Sequence, residues 1–261
     1  MSLKIATIQT KLSWQDRESN LINLESKIEN LPATDIIVLP EMFSTGFSME
    51  TSLAEEIDGT SVKWMKKVAS SSNSVLTGSL MIREGKSVFN RLIWMFPEGK
   101  LEYYDKRHLF RMAGEHLHFT GGSRRLIIQY KDWKICPMVC YDLRFPVWSR
   151  NRFMNGEFDY DILLYVANWP EKRSHAWNSL LPARAIENQA YVIGVNRVGV
   201  DGNDINYSGD SGVYNFLGEK MSKSDRYGEK TEIIELNKQE LDQYREVFPA
   251  SEDADSFELK I

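Results

Sequence analysis

Cysteine and histidine are scarce here, at two and four residues in a chain of 261. So few thiols exclude a disulfide-stapled fold. The two that exist, Cys136 and Cys140, lie four apart in Lys-Ile-Cys-Pro-Met-Val-Cys-Tyr-Asp. In a strand, four residues span about 13 Å, whereas a disulfide needs its alpha carbons within about 7 Å. The pair is therefore expected to stay reduced, with Cys136 in the core. Zinc sites want close doublets of ligands. Cys-x3-Cys with an internal proline, and His116-Leu-His118 in a loop, do not supply them, so no metal is expected. His108 and His175 have no motif around them and read as structural or solvated. Long apolar runs are lacking too: none approaches the roughly 20 residues that span a bilayer. Charge of one sign is also missing. A net charge of -5, without clustered Lys and Arg, gives no basis for binding phosphate backbones. Neither nucleic acid nor a membrane is expected as a partner. Free thiols and an N-terminus that runs directly into a strand-like segment, with no room for a signal peptide, make the cytoplasm the expected location.

What is present is ordinary globular material, 42% hydrophobic and 26% charged, long enough to bury a sizeable core. No repeat or Pro/Gly/Ser-rich linker divides it, so residues 1–261 read as a single domain. Strand signals fall at Leu3–Thr10, Asp35–Leu39, Val75–Leu80, Asp161–Val166 and Tyr191–Val195. Helical spacing links Leu21, Leu24, Ile28 and Leu31, then Val62, Met65 and Val68, then Trp177, Leu180, Leu181 and Ile186. Turn signals around Phe89–Phe96 predict antiparallel hairpins. Leu126–Tyr130 and Trp133–Cys140 read as paired strands, followed by a helix through Trp148 and Phe153. Further strands are expected at Gly212–Phe216 and Thr231–Leu236, and a final helix near Asn237–Glu246. The acidic stretch Ser251–Ser256 reads as a solvated tail. Strands alternating with helices predict an α/β chain with an antiparallel element in its middle.

Three chemically capable side chains sit just past predicted strands, where ligands gather in α/β sheets. Glu41 follows Leu39-Pro40, beside an apolar run, and is suited to collect and return a proton. Lys106 follows Leu101–Tyr104, and its ammonium could hold an oxyanion. Cys140 ends its strand where the chain turns polar, and a helix N-terminus with a nearby cation would stabilise its thiolate. Glu115, in Ala-Gly-Glu-His-Leu-His, could hold Lys106 or a substrate. Each has an ordinary reading as well: a solvated charge for Glu41 and Glu115, surface decoration for Lys106, a buried structural thiol for Cys140.

Taken together, Leu-Pro-Glu41-Met-Phe, Tyr-Asp-Lys106-Arg-His-Leu-Phe and Val-Cys140-Tyr-Asp-Leu-Arg-Phe-Pro resemble, in order and separation, the nitrilase superfamily of carbon–nitrogen hydrolases. Leu-Tyr-Val-Ala-Asn168-Trp169-Pro and Ala-Arg-Ala-Ile-Glu-Asn-Gln-Ala-Tyr extend the likeness nearly end to end. The resemblance implies a four-layer αββα sandwich, assembly as homodimers or larger homo-oligomers, and a catalytic triad of Glu41, Lys106 and Cys140, with Glu115 as the family's additional glutamate. His-Leu-Phe-Arg-Met-Ala and Cys-Tyr-Asp-Leu-Arg-Phe-Pro-Val-Trp-Ser-Arg are most similar to the bacterial omega-amidases, which hydrolyse 2-oxoglutaramate and 2-oxosuccinamate. The chemistry so implied is a thioester route that needs no cofactor, with the backbone N–H of Tyr141 sharing the oxyanion. Arg144 is the expected anchor for a substrate carboxylate, an ion pair with a nearby acid being the alternative. Phe43, Asn168 and Trp169 are expected to shape the pocket. Nitrile or N-carbamoyl hydrolysis on the same triad, and a binding protein that has lost the chemistry, are the competing readings.

Overall fold

The computed structural model describes residues 2–223 and 225–259. The N-terminal half forms one mixed sheet. β1 (Ser2–Gln9), β2 (Ile36–Val38) and β3 (Val75–Glu84) run parallel, joined through α1 (Arg17–Ile28) and α2 (Thr60–Ser72). β4 (Ser87–Met95) and β5 (Leu101–Asp105) then fold back antiparallel. The hairpins predicted around Phe89–Phe96 are these strands. Asp16 starts α1 by accepting a hydrogen bond from the Ser19 N–H at 3.0 Å, an ordinary aspartate N-cap.

The second sheet has its own parallel centre. β6 (Ile128–Tyr130) pairs antiparallel with β7 (Trp133–Val139). The chain then makes two short helices, α3 (Glu115–His118) before β6 and α4 (Pro146–Ser149) after β7, and a small hairpin of β8 (Phe153–Met154) and β9 (Glu157–Phe158). β10 (Ile162–Ala167) lies parallel to both β7 and β11 (Tyr191–Asn196), with α5 (Ser174–Asn188) connecting β10 to β11. Beyond a hairpin of β12 (Val198–Val200) and β13 (Asn206–Ser208), β14 (Gly212–Tyr214) closes this sheet. β15 (Lys230–Asn237) returns to pair with β1 and leads into α6 (Lys238–Val247). The strand orders are β15-β1-β2-β3-β4-β5 and β14-β11-β10-β7-β6.

Alternation along the strands decides how the layers stack, because successive side chains face opposite sides. Leu3, Ile5, Ile36 and Val38 join one buried cluster with Ile135, Met138, Leu163 and Val192 of the second sheet. The residues between them, Ala6, Ile8 and Ile37, join another cluster with Leu21 and Leu24 of α1 and Met65 and Val68 of α2. Trp177 and Leu181 of α5 cover the far face of the second sheet, so close that a Cβ on Gly194 of β11 would lie 2.6 Å from Leu181 Cδ1. The result is helices, sheet, sheet, helix: the four-layer αββα sandwich. Among the described residues no helix is long and apolar enough to cross a membrane.

Three local expectations are corrected. The helix expected through Trp148 and Phe153 is only the turn Cys140–Arg144 and the four-residue α4. Pro146 restarts the chain at α4, since a residue before proline is driven out of the helical region. Phe153 instead belongs to a hairpin whose turn, Asn155-Gly156, has φ of 55° and 80°, the positive values that Asn-Gly turns adopt. Ile186 lies on α5 yet is 53% exposed, because the helix buries Trp177, Leu181 and Ala185 instead. Leu31 falls beyond the end of α1.

A tight contact in β3 bears on the site below. A Cβ on Gly78 would sit 2.8 Å from Leu39 Cβ and 2.9 Å from Phe43 Cδ1, on either side of Glu41. Gly78→Ala is expected to destabilise the protein by about 1–3 kcal/mol through overpacking. Urea unfolding checks this, and an unchanged midpoint would show that the turn has room to spare.

Candidate active site

Glu41 owes its position to β3. Leu39 N–H donates to Thr77 O at 2.7 Å, the Met42 N–H to Ser79 Oγ at 2.9 Å and the Phe43 N–H to Ser79 O at 3.2 Å, pinning the turn on both sides of the carboxylate. Lys106 directly follows β5, with its N–H on Asn90 O at 3.0 Å. Cys140 follows β7 with φ of 45°, a left-handed conformation that costs a non-glycine residue about 1–2 kcal/mol. The buried carboxylate of Asp142 offsets this strain by accepting from the Val139 N–H at 3.1 Å, the His108 N–H at 2.9 Å and the Tyr104 hydroxyl at 2.8 Å. Asn168 immediately follows β10. The four positions thus lie at or just past the carboxyl ends of strands from both sheets.

These ends converge. Lys106 Nζ lies 2.8 Å from Glu41 Oε1 and 3.0 and 2.9 Å from the two oxygens of Glu115. All three side chains are fully buried. Asn90 Nδ2 donates to Glu41 Oε1 at 2.8 Å and to Glu115 Oε1 at 3.1 Å. The Asn168 N–H reaches Glu41 Oε2 at 2.7 Å, and the Phe110 N–H reaches Glu115 Oε2 at 2.5 Å. The Cys140 thiol lies 3.9 Å from Asn168 O, with Glu41 close enough to raise its pKa. Among the described residues, every group hydrogen-bonded to the Glu115 carboxylate is a donor, as an ionised carboxylate requires.

Burial works against the Lys106 ammonium, but Glu115, Glu41 and Cys140 outweigh it and hold its pKa above the usual lysine range. Burial raises Glu115, helped by Glu41 and opposed by Lys106 and the Phe110 N–H. Burial likewise pushes the Cys140 thiol well up, with Glu41 adding to the rise and Lys106 opposing it. Here the structure departs from the expected helix-stabilised thiolate. The turn after Cys140 is a short 3-10 segment, too weak a dipole to offset desolvation beside a carboxylate. The resting group is a thiol beside a buried carboxylate. Cys136 is pushed up to about 12 by burial and packs in the core as expected.

A cavity of about 460 Å³ opens onto Lys106 and Cys140. Of the residues expected to bind or shape the substrate site, Tyr141, Arg144, Asn168 and Trp169 line this cavity and Phe43 does not. Met42 takes φ of 44° and turns Phe43 back toward the helices, where its ring packs on Trp64 at 5.8 Å between centroids. Phe47 takes the wall position instead. Arg144 sits over the Trp169 ring at 5.2 Å and makes no salt bridge among the described residues, against the ion-pair alternative. Asn168 and Glu115 do more than line or solvate: both fix the buried charges directly. Glu41 and Glu115 stand behind the cavity floor, outside the lining. Sequence reasoning missed Asn90 and Asp142, and the cavity-lining Tyr207 and Arg173. A lone asparagine in the apolar alternation of Val88–Met95 was a readable signal for the first. His108, read as structural or solvated, is structural: its Nδ1 is 2.7 Å from Asp142 Oδ1, and its ring stacks on Phe145 at 3.7 Å.

Residues 4–246 match the family model described as carbon-nitrogen hydrolase. The chain is a carbon–nitrogen hydrolase of the nitrilase superfamily. Among the relatives of this carbon–nitrogen hydrolase, the omega-amidase YafV of Escherichia coli strain K12 is 48% identical over 257 residues, covering 98% of each chain. The 2-oxoglutaramate amidase of Bacillus subtilis strain 168 is 31% identical, covering 97% of this chain and 98% of the relative. A CN-hydrolase superfamily protein from Xanthomonas campestris, solved with an arsenic adduct in its active site, superposes with a TM-score of 0.98 at 45% identity over the full length of both chains.

Removing Lys106 from this carbon–nitrogen hydrolase leaves two buried carboxylates without a counter-ion. Lys106→Met is expected to cost about 3–5 kcal/mol in urea unfolding near neutral pH. The penalty should shrink on acidification toward about pH 5, because a carboxyl whose folded pKa is raised gains stability as pH falls. A penalty below about 1 kcal/mol, or one that grows on acidification, would contradict the ionic state described above.

Proposed function

We propose that this enzyme is an omega-amidase, hydrolysing the terminal amide of a small 2-oxo acid of the 2-oxoglutaramate or 2-oxosuccinamate type. One observation carries the reading: a thiol and an ammonium from distant parts of the chain are buried together at the floor of one cavity, with a carboxylate behind them. The names of the relatives from Escherichia coli and Bacillus subtilis support the choice of substrate.

In this reading Glu41 takes the proton of Cys140 as Sγ attacks the amide carbonyl. The oxyanion is held by Lys106 Nζ and the Tyr141 N–H. Glu41 then gives the proton to the departing nitrogen, releasing ammonia and leaving a thioester. It next takes a proton from water, whose attack releases the acid and restores the thiol. Glu115 positions Lys106 and, through the Phe110 N–H, the loop beyond it. No step calls on a metal or organic cofactor. Two free cysteines support placing the protein in a reducing cytoplasm, and family resemblance supports a homodimer or larger homo-oligomer.

Ammonia release should be fastest from 2-oxoglutaramate and 2-oxosuccinamate in a panel that also holds nitriles and N-carbamoyl amino acids, and Cys140→Ala should abolish it. A preference for nitriles, carbon dioxide released from carbamoyl substrates, or turnover surviving in Cys140→Ala would each overturn the assignment. Arg144→Leu tests the carboxylate anchor separately. Its preference for carboxylate-bearing over neutral amides should fall about tenfold or more, the value of a hydrogen bond to a charged group. An unchanged preference removes Arg144 from that role.

A further inference from the structure

Besides Arg144, a second guanidinium lines the cavity. Arg173 lies in the turn before α5. A guanidinium offers five N–H donors and normally satisfies them with oxygen acceptors. Arg173 has no side-chain oxygen partner among the described residues. Its Cζ lies 5.1 Å over the Phe110 ring, and its Nη2 touches Met112 Sδ at 2.7 Å. A thioether and a ring face hold the group in place while leaving its hydrogen-bonding capacity largely unused. The nearby acid Glu171 is engaged elsewhere, accepting from Tyr227 and Asn206 and facing Arg226 at 3.5 Å.

The charge balance of the cavity follows. Lys106 is matched by Glu41 and Glu115. Arg144 and Arg173 have no carboxylate matching them among the described residues. Much of the remaining wall is apolar: Phe47, Trp169, Pro170 and Ile205. Arg144 is exposed and Arg173 half-buried, so two such cations on a largely apolar wall favour an anion over a cation through a field that solvent partly screens.

We propose that Arg173 acts with Arg144 as a specificity-determining residue, selecting amides whose far end is a carboxylate with no neighbouring ammonium. This inference rests on the amidase reading and goes beyond it in predicting discrimination against α-amino amides. Glutamine carries the same amide and the same carboxylate as 2-oxoglutaramate, but has an ammonium where the other has a carbonyl oxygen. Toward two guanidiniums the carbonyl oxygen is a further acceptor, and the ammonium is repelled.

Steady-state kinetics on 2-oxoglutaramate, glutaramate, glutamine and butyramide test this with wild type, Arg173→Met, Arg173→Gln and Arg173→Lys. In Arg173→Met the preference for 2-oxoglutaramate over glutamine should fall about tenfold or more, chiefly through KM. Its preference for 2-oxoglutaramate over butyramide should fall as well. Arg173→Lys, which keeps the charge, should retain most of the rejection of glutamine. Arg173→Gln keeps a planar polar head and carries the test if the methionine variant does not fold. Parallel losses on all four amides, or ratios unchanged in both Met and Gln variants, would overturn the role of Arg173 while leaving the amidase reading intact. No cysteine-dependent turnover of any amide by wild type would overturn both.

Discussion

The site depends on an ammonium group buried between two carboxylates. Lys106, Glu41 and Glu115 together carry a charge of minus one when all are ionised, and all three are withdrawn from water. Ionising Cys140 by losing its proton to solvent would add a second negative charge to a desolvated cluster, which the raised thiol pKa reflects. Passing the proton to Glu41 leaves the total unchanged. The proposed attack keeps that balance, since the charge leaving sulfur reappears on the carbonyl oxygen beside Lys106 while Glu41 is neutral. A low-dielectric site can follow such a path without solvent having to reorganise around new charge. For the proposed reaction, burial therefore favours general-base transfer over a standing thiolate.

The same cluster explains the density of supporting hydrogen bonds. Glu41 accepts from a lysine, an asparagine side chain and a backbone N–H. Each fixes the carboxylate and supplies part of the solvation that burial removed. Asp142 does the equivalent for the backbone, holding Cys140 in a left-handed conformation through three elements at once. Strain at Cys140 and the orientation of Glu41 are thus sustained by neighbours, Asp142 and Asn90, to which no chemical step is assigned.

Much of this was legible because strand ends are legible. The apolar run before Glu41, the strand before Lys106 and the abrupt polar change after Val139 each mark a place where a side chain leaves the sheet for the cleft beyond it. Asn168 was marked in the same way by Ile162–Ala167. Orientation was less readable. Phe43 lies two residues from Glu41, and only the positive φ of Met42 sends it to the helix layer. Asn90 and Asp142 act across 49 and 38 residues of sequence, on Glu41 and Tyr104 respectively, and no local pattern records such distances. Arg173 shows its capacity only through the carboxylates that are engaged elsewhere in three dimensions.

The two sheets contribute unequally. Glu41, Asn90 and Lys106 come from the first, Cys140 and Asn168 from the second, with Glu115 in the connection between them. Contacts between Asn168 and Glu41, and between Tyr104 and Asp142, cross the boundary where the sheets face each other. Glu41 and Cys140, the proposed proton acceptor and nucleophile, are consequently on different halves of the sandwich, which meet across the apolar side chains packed between them. Interiors at crystal-like density respond to a single lost methylene, while hydrogen-bond geometry deteriorates over a few tenths of an ångström. For the proposed reaction, packing in this inter-sheet layer is accordingly part of what holds Glu41 and Cys140 in one site.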